Sequence, residues 1–426
     1  MSNLEMPMPV QARFFTTGTK ILAAIMGVGL LAYAYRLLFG LGAATNLNDQ
    51  YPWGIWIAID VASGVALAAG GFTTAALAEI FHKDKYHVIT RPALLTAMLG
   101  YTFVVIGLLA DLGRYYNVWH PMLPSMWQGN SVLFEVGICV MIYLTVLYVE
   151  FTPIFVERFK GRVNLPGPLS GFNRLGEKIL GLADRTLKKV LFLFIIAGVV
   201  LSCLHQSSLG NLMVIAPYKM HPLWYTPMSP LLFLLSAIAV GFPMVIFEST
   251  LASRSFKLKP ELGVLSSLAR YIPLTLGVYL AVKLVDLTLR GAWPYLFQGT
   301  FQSFMYFLEI VGGVIIPLIM LTITKVRNSV AGLFTASAMV VLGVVLNRIN
   351  VFIVAYKPLY GTSPYYPSLY EIAVTLGLAA ALILVYRFVV MNFPVIAAPV
   401  VEKVRNESPR PEPSYVLRRG GSYEKS

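Results

Sequence analysis

Long apolar stretches alternate with short polar connections along the chain as far as about residue 392. Each stretch holds roughly 20 residues or more, which is the length of helix that crosses the hydrocarbon core of a bilayer. No connection has room for a sizeable soluble domain. The pattern predicts an all-α integral membrane protein with about ten transmembrane helices, numbered here as segments 1 to 10: residues 18–42, 54–80, 92–111, 131–155, 189–209, 229–250, 268–289, 300–324, 329–350 and 368–392.

The composition agrees with this class. Apolar residues make up 57% of the chain and charged residues only 12%, whereas about a quarter of the residues in a soluble domain are charged. The formal net charge is +13, but the basic residues do not gather on one predicted face or arm. We therefore expect no nucleic-acid partner and read the charge as a topological signal.

The basic residues are divided very unequally between the two sides of the membrane. Of the 33 Lys and Arg, 26 lie in the N-terminus, in the connections between segments 2 and 3, 4 and 5, 6 and 7, and 8 and 9, at the segment ends that flank these regions, or from Arg387 onward. The opposite connections hold only five. Because cytoplasmic loops carry the excess of Lys and Arg, this distribution predicts that both termini are cytoplasmic.

The connections on the other side are rich in aromatic residues and proline. Examples are the stretches 51–56, 115–124 and 221–227. Tyr and Trp are typical of the headgroup region, so an interfacial belt is one interpretation. The rigid prolines equally favour a docking surface or a ligand entrance, and both interpretations stay open.

Polar residues of segments 2 to 5 align with those of segments 6 to 9. Asp111 and Asp286 end the second helix of each set, and the next carboxylate follows 24 or 23 residues later. The pattern predicts two duplicated four-helix bundles, helices 2–5 and 6–9, with peripheral helices 1 and 10. The aligned pairs are Glu79 with Glu248, Asp111 with Asp286, Arg114 with Arg290, and Glu135 with Glu309.

This division gives the predicted organisation of the chain. The region from residue 400 contains few apolar residues and cannot form a core, so we expect it to be disordered. The predicted units are a cytoplasmic N-terminus at 1–17, the first peripheral helix with its outer loop at 18–53, the first bundle at 54–209, the second bundle at 210–350, an outer loop with the last helix at 351–399, and a cytoplasmic tail at 400–426.

Ionisable residues within the segments are the main candidates for function, because each costs at least about 2.5 kcal/mol in the membrane and usually faces a cavity or a partner. Lys283 and Asp286 are three residues apart on one helix, which favours a structural ion pair. Asp111 and Arg114 share this spacing, and a pair and a site are equally plausible for them. The full set is Asp60, Asp111, Glu135, His205, Glu248, Lys283, Asp286 and Glu309.

His205 is the one histidine of the five that falls inside a predicted segment. It is followed by Gln206, Ser207 and Ser208, so donors and acceptors gather where an amphipathic ligand could enter, although a lone histidine can also be a bonded core residue. Haem held between helices needs two axial ligands, and the two cysteines lie apart in apolar runs. We expect no haem, no iron–sulfur cluster and no metal site in this chain.

Several stretches taken together resemble the NrfD-like family of membrane subunits, which includes the membrane subunit of polysulfide reductase, and most of all its hydrogenase-2 type branch. Each motif has low specificity alone, and their combination is specific over the first six segments. The stretches are Asn46-Leu-Asn-Asp-Gln-Tyr-Pro-Trp-Gly-Ile-Trp56, Arg91-Pro-Ala-Leu-Leu-Thr96, Asp111-Leu-Gly-Arg114, Asn130-Ser-Val-Leu-Phe-Glu135, His205-Gln-Ser-Ser-Leu-Gly210 and Phe247-Glu-Ser249.

The resemblance implies a cofactor-free subunit of the bacterial inner membrane that reacts with a quinone, either menaquinone or ubiquinone. It further implies docking to a periplasmic iron–sulfur (ferredoxin-like) subunit that exchanges electrons with a periplasmic catalytic subunit. A hydrogenase is the favoured catalytic partner, and polysulfide reductase and related enzymes stay open.

Two functional hypotheses follow. In the first, the quinone head group is bound by His205, Asp60, Asp111 and Arg114, and its protons pass along a ladder of Glu248, Tyr101 and Glu135. In the second, the chain is a secondary transporter that uses buried carboxylates. The outer position of most of these groups favours quinone chemistry, because transporter sites lie near the midplane. A purely structural anchor is a weaker third interpretation, since an anchor needs no buried acids.

Overall fold

The computed structural model describes residues 7–164, 166–360 and 364–397, and within these ranges ten helices are long and apolar enough to cross a membrane. The chain is thus a multi-pass, all-α membrane protein, as predicted. The described part contains no strand, and extended pairing is limited to isolated bridges. The helices are α1 Thr17–Phe39, α2 Trp56–Ile80, α3 His87–Asp111, α4 Val132–Phe159, α5 Asn173–Asn211, α6 Ser229–Phe256, α7 Leu262–Leu289, α8 Phe301–Thr322, α9 Val330–Val354 and α10 Leu369–Asn392.

Helices α2 to α5 close into one four-helix bundle and α6 to α9 into another. In the first bundle α2 contacts α3, α3 contacts α4, α4 contacts α5, and α5 returns to α2. The same cyclic order holds from α6 to α9. The predicted pair of four-helix bundles is therefore confirmed, and the two pack together mainly through α2 and α5 against α6 and through α2 against α9.

The peripheral helices α1 and α10 pack side by side, and both contact α3. Their backbones meet at Gly29 and Gly377, where a Cβ atom on Gly29 would lie only 2.5 Å from the Gly377 Cα atom. Any larger side chain would separate the helices. Each helix begins with a capping box, at Thr16 and Ser368 respectively, which satisfies the free N–H groups of its first turn.

Three of the helices contain wider π-helical turns, and these turns carry buried polar side chains. The turns span Trp56–Ser63 and Ala76–Ile80 in α2, Leu308–Ile315 in α8 and Asn350–Val354 at the end of α9. They include Asp60, Glu309 and Asn350. π-Helical turns are frequent at functional sites because they redirect side chains toward the helix interface.

The two ends of the protein differ in chemistry. The end formed by residues 40–55, 112–131, 212–228, 290–300 and 355–360 is called the aromatic end, and the opposite end, with residues 7–16, 81–86, 257–261, 323–329 and 393–397, is called the basic end. Backbone bonds tie each end together: Met8 bonds to Ile396 at the basic end, and His221 bonds to Ala355 at the aromatic end. The predicted disordered tail, 400–426, lies outside the described residues.

Helix α5 is much longer than predicted, with 39 residues. Its apolar part begins near residue 189, but the helix starts at Asn173, because the charged stretch before the membrane segment also has good helix formers. This stretch is held at the basic end by Asp184, which pairs with Lys160 at 2.6 Å and Lys188 at 3.1 Å. Hydropathy marks the membrane segment, not the end of the helix.

Candidate functional site

A buried tyrosine and a buried histidine meet inside the first bundle. The Tyr101 hydroxyl of α3 lies 3.1 Å from the Nδ1 atom of His205 on α5, and both side chains are almost fully buried. The other ring nitrogen of His205, Nε2, is also buried and has no hydrogen-bond partner. Because an unpaired polar atom is costly inside a membrane protein, this nitrogen is a candidate contact for a ligand or water.

One face of α5 carries most of the polar groups of this bundle. Gly198, Ser202, His205 and Ser208 follow one another at helical spacing along that face. Ser202 lies beside the hydroxyl groups of Tyr101 and Tyr143 but makes no hydrogen bond in this arrangement. A line of polar atoms therefore runs along α5, and several of them have open hydrogen-bonding capacity.

Gln206 holds α5 against an interruption in α2. Its Nε2 atom donates to the carbonyl oxygen of Val65 at 2.7 Å, close to the break at Ala68. The side-chain oxygen of Gln206 stays buried and without a partner. This second open polar atom lies on the residue next to His205.

Glu135 lies near the aromatic end of α4, one turn from the start of the helix as predicted. Ser208 donates a hydrogen bond of 2.6 Å to its Oε1 atom. Contrary to our expectation of a buried acid, Glu135 is exposed at the edge between α4 and α5, where the bilayer would surround the protein. The polar line of α5 thus reaches the outer surface of the bundle at this residue.

The structure does not bring Asp60 and Asp111 together with His205, although we predicted one shared site. Asp60 accepts a 2.6 Å hydrogen bond from Thr375 of α10 and packs against Gly107 of α3. These contacts face the peripheral helices and not the interior of the first bundle. Sequence spacing gives the depth of a residue but not the direction of each helix face, so it does not show which helices Asp60 contacts.

Asp111 also belongs to the peripheral group. Its neighbouring charges are Arg36 of α1, Glu371 of α10 and Asp60. Arg36 is completely buried and donates to the carbonyl oxygens of Ala110 and Leu112. Arg114, in contrast, is exposed and forms no ion pair with Asp111 in the described structure.

Glu371 is the centre of this peripheral group, which sequence reasoning missed. Its carboxylate accepts from the Tyr365 hydroxyl at 2.5 Å, from the Ser368 N–H at 2.8 Å and from the Asn46 N–H at 3.2 Å. The only available signal was its place as the fourth residue of a Ser-x-x-Glu capping box. This network fastens α10 to the loop before α2.

Glu248 lies in the basic half of the protein, at the junction of α6 with α3 and α10. Its neighbours are the hydroxyl groups of Thr96 and Tyr386, and its Oε1 atom is buried without a good hydrogen bond. A cavity of about 40 Å³ beside Tyr386 opens toward the basic end. The cavity has room for water, which needs about 10 to 15 Å³, and Tyr386 both lines it and neighbours Glu248.

The second bundle contains a dense and well-bonded charge network. Glu309 accepts hydrogen bonds from Lys283, from Asn347 and Asn350 at 2.8 Å each, and from Trp224 at 2.9 Å. Each of the two carboxylate oxygens therefore accepts two hydrogen bonds. A cavity of about 20 Å³ adjoins the network, and His205 lines neither this cavity nor the one near Tyr386.

The predicted ion pair between Lys283 and Asp286 is wrong. Lys283 pairs with Glu309 on the next helix, whereas Asp286 binds Arg290 at 2.8 Å and the Thr226 hydroxyl at 2.5 Å. Residues three apart share a helix face, but here that face packs against other helices that supply better partners. The charges are satisfied across the bundle and not along α7.

Glu150 is a further acid that sequence reasoning did not consider. It lies on α4, two turns toward the basic end from Tyr143, and faces Gly198 of α5. Among the described residues, no three or more His, Cys, Asp or Glu side chains are placed to hold a metal ion. The chemistry that this bundle offers is hydrogen bonding and proton transfer by Glu, Tyr, Ser and His.

Comparison with known proteins identifies related chains over nearly the whole length. The family model described as "Polysulphide reductase, NrfD" matches residues 43–359. A protein of Nitratidesulfovibrio vulgaris without a functional name is 37% identical over 390 residues, which are 89% of this chain and 95% of the relative.

Two further relatives have informative names. The "Probable Ni/Fe-hydrogenase 2 b-type cytochrome subunit" of Escherichia coli is 32% identical, with 92% of this chain and 95% of the relative covered. The "Menaquinone reductase, integral membrane subunit" of Nitratidesulfovibrio vulgaris is 28% identical, with 80% of this chain and 84% of the relative covered.

Proposed function

Since the chain belongs to the NrfD polysulphide reductase family, we propose that it is the quinone-reactive membrane subunit of a multi-subunit respiratory oxidoreductase. The names of its relatives, a hydrogenase subunit and a menaquinone reductase subunit, support this role. The proposed partners are an iron–sulfur subunit and a catalytic subunit, which is a hydrogenase in this proposal. The substrate is menaquinone or ubiquinone in the membrane.

The observation that carries the proposal is the open Nε2 atom of His205 next to its bond with Tyr101. If Nε2 bears the hydrogen, Nδ1 is an acceptor and the Tyr101 hydroxyl donates to it. The Nε2–H group is then a donor, and no acceptor for it is found among the described residues. A quinone carbonyl oxygen is an acceptor of this kind, whereas a structural histidine would have both nitrogens bonded.

Proton transfer follows from this arrangement. His205 gives the Nε2 proton to the carbonyl oxygen and takes the Tyr101 hydroxyl proton at Nδ1, so the imidazole stays neutral overall. Tyr101 regains its proton from the proposed ladder, and the ring returns to its Nε2–H tautomer before the second transfer. Reduction to the quinol needs two such protons and two electrons. The electrons come from the proposed iron–sulfur subunit.

The exposed edge between α4 and α5 is the proposed route for the quinone. Glu135 and Ser208 form a polar spot there in an otherwise apolar surface, and Ser208 lies one turn along α5 from His205. A quinone is amphipathic and reaches its site from the bilayer. The head group can therefore exchange hydrogen bonds with Glu135 and Ser208 before it contacts His205.

The orientation and location form part of the proposal. The basic end is cytoplasmic because it holds most Lys and Arg, and the aromatic end is periplasmic in a bacterial inner membrane. The loop at 112–131 exposes Tyr116, Trp119, Met122 and Trp127, which suits docking of the iron–sulfur subunit. His205 lies about 9 Å of helix from the aromatic end of α5, so electrons have a short path.

The ladder of Glu248, Tyr101 and Glu135 remains our proposal for proton movement. Glu248 has a water-sized cavity at the basic end, Tyr101 bonds to His205, and Glu135 ends the polar line at the aromatic end. The contacts of Asp60 with Thr375 and Gly107 support a structural role at the peripheral helices, whereas Asp111 has a buried Oδ1 atom without a hydrogen-bond partner. The part of Asp60 in quinone binding is therefore weaker than that of His205.

The test uses the assembled complex in membranes, with turnover measured both with quinone and with an artificial dye that accepts electrons from the partner subunits. We expect His205→Ala and Tyr101→Phe to lower quinone turnover by about a hundredfold while dye reduction persists. Tyr279→Phe is the control, since Tyr279 is a buried tyrosine of the second bundle that bonds Lys283 at 3.2 Å. Wild-type quinone turnover in His205→Ala would remove His205 from the site and overturn the proposal.

A further inference from the structure

We propose that Glu150 of α4 is a proton-relay carboxylate that supplies the Tyr101–His205 pair from the basic half of the first bundle. This inference rests on the proposed quinone function and adds a second inlet to the one at Glu248. Glu150 belongs to neither the charge network of the second bundle nor the peripheral group around Glu371. Its position within the first bundle is the starting point.

The Glu150 carboxylate points into the seam between α4 and α5. A Cβ atom on Gly198 would lie 2.3 Å from its Oε1 atom, so the carboxylate fits there only because residue 198 has no side chain. The same Oε1 atom is buried and has no hydrogen-bond partner. The Glu150 side chain is therefore inserted in the helix interface, and one of its carboxylate oxygens has no hydrogen-bond partner.

Two acids that hold helices and loops together, Glu309 and Glu371, look different. Glu309 accepts four hydrogen bonds and Glu371 accepts three from side-chain and backbone donors. Each of them joins several helices or loops. The Oε1 atom of Glu150 makes no hydrogen bond to another helix. Burying an unpaired carboxyl group costs free energy that packing of the side chain alone does not offset. The open oxygen is therefore available for water or a proton.

Glu150 lies in line with the polar face of α5. Tyr143 is seven residues away on the same face of α4, which is about 10 Å of helix, and Gly198 and His205 are separated by the same distance on α5. The rings of Tyr143 and Tyr101 meet edge to face at 4.6 Å. Ser202 lies beside both of their hydroxyl groups. The relay order is thus Glu150, Tyr143 with Ser202, Tyr101 and His205.

The transfer balances as a simple relay of one proton. Glu150 takes a proton from water on the basic side and passes it, through bridging water, to the hydroxyl groups of Tyr143 and Ser202. Each hydroxyl releases one proton as it gains one, and His205 delivers the last to the quinone oxygen. Glu150 is then a carboxylate and is loaded again for the second proton, while both electrons come from the iron–sulfur subunit.

Glu150→Gln removes the proton and keeps the shape of the side chain. In the complex reconstituted in liposomes, we expect quinone turnover to fall by about tenfold or more with dye reduction unchanged, and added small weak acids to restore part of the rate. Glu150→Asp should recover more activity than Glu150→Gln. The control is Glu157→Gln on the same helix, since Glu157 is exposed and pairs with Arg91 at 2.8 Å.

A carbodiimide reagent gives a second measurement on the wild-type complex, because it modifies protonated carboxyl groups within membranes. We expect mass spectrometry to find the modification on Glu150, together with loss of quinone turnover and not of dye reduction. This result remains decisive if Glu150→Gln does not assemble. An unmodified Glu150 in the inhibited complex would overturn the inference.

The two proposals can fail separately. If His205→Ala is inactive with quinone while Glu150→Gln keeps wild-type turnover and membrane potential, the relay through Glu150 is overturned and the quinone site stands. If His205→Ala keeps quinone turnover, the proposed function itself is overturned. Equal loss of quinone turnover and dye reduction in Glu150→Gln would show a structural role and would also overturn the relay.

Discussion

Lys283 of α7 donates a hydrogen bond to Glu309 of α8, and both side chains are almost completely buried inside the second bundle. The ammonium group also lies 5.0 Å from the centre of the Tyr306 ring. Bringing two charges out of water is expensive, and their attraction offsets this cost only while both are present. The pair therefore makes the second bundle sensitive to the loss of either partner.

We predict that Lys283→Met or Glu309→Gln alone destabilises the protein by about 3 to 5 kcal/mol, because each leaves one buried charge without its partner. The double variant should be more stable than Lys283→Met or Glu309→Gln alone. The measurement is thermal unfolding of the purified protein in detergent. A double variant less stable than both single variants would contradict this explanation.

An exposed ion pair provides the comparison. Lys188 and Asp184 are 3.1 Å apart at the basic end, and the Lys188 side chain is largely exposed. Such pairs contribute about 0 to 1 kcal/mol. Lys188→Ala should therefore change the unfolding temperature very little, although the distance between the charged atoms is similar to that of a strong pair.

The second prediction concerns haem. His205 is deeply buried and bonded to Tyr101, whereas His87, the first residue of α3, is paired with Glu79 at 3.1 Å and has a side chain that is 43% exposed. The two histidines lie in opposite halves of the membrane, and haem ligation between helices needs two ligands facing one another. The purified subunit should show no haem absorbance. A stoichiometric b-type spectrum that disappears in His205→Ala would refute this prediction.

Hydropathy reports the length and depth of each membrane segment, and this limits which features of the fold the sequence predicts. The ten spans and the two-bundle arrangement were predictable, because apolar length and the spacing of polar residues are written along the chain. The rotation of each helix was not, and it decides which face Asp60 presents. It also decides that Lys283 reaches Glu309 and not Asp286. These choices depend on packing between distant segments, which a single sequence does not reveal.

The candidate site shows the same division. His205 and Tyr101 were both identified from the sequence, but their contact depends on how α3 packs against α5. Glu150 could have been suspected, because it lies two turns from Tyr143 on one helix face. Its importance rests on Gly198 of another helix, and only the structure shows that these two residues meet.

The third prediction is a pH dependence of stability at the aromatic end. Burial, together with the charge of Lys357, lowers the pKa of His221 to about 4, from an ordinary value near 6.5. The folded protein therefore binds fewer protons than the unfolded chain between these values. The contribution of His221 is fully present above about pH 6.5 and is lost as the pH falls toward 4.

His221→Asn tests this prediction, because the Asn side-chain oxygen can replace Nδ1, which accepts a 3.3 Å hydrogen bond from the Leu223 N–H. The unfolding temperature of the wild type should fall between pH 7 and pH 5, and that of His221→Asn should fall less. His120→Asn, in another loop at the same end, serves as the control. Equal slopes for all three proteins would exclude His221 as the cause.

The last prediction concerns the coupling of turnover to membrane potential, and it begins with two aligned acids of the two bundles. Glu248 has an open carboxylate oxygen and a water-sized cavity nearby, whereas Glu79 is more exposed and bonds to His87 at 3.1 Å. The alignment makes Glu79 a matched control for Glu248. Of these two aligned acids, Glu248 has a buried carboxylate oxygen and lies next in sequence to Ser249, which lines the cavity.

If protons enter at the basic end and electrons at the aromatic end, each quinone reduced moves charge across the membrane. Complexes in liposomes with a potential-sensitive dye should then develop a potential, and Glu135→Gln and Glu248→Gln should lower it per quinone reduced. Glu79→Gln should behave as the wild type, because Glu79 is half-buried at the basic end and is bonded to His87, so it is not needed to carry a proton through the bundle. If both variants of the ladder reduce quinone at the wild-type rate and generate the same potential, Glu135 and Glu248 are structural, and the protons come from the aromatic side or through other groups.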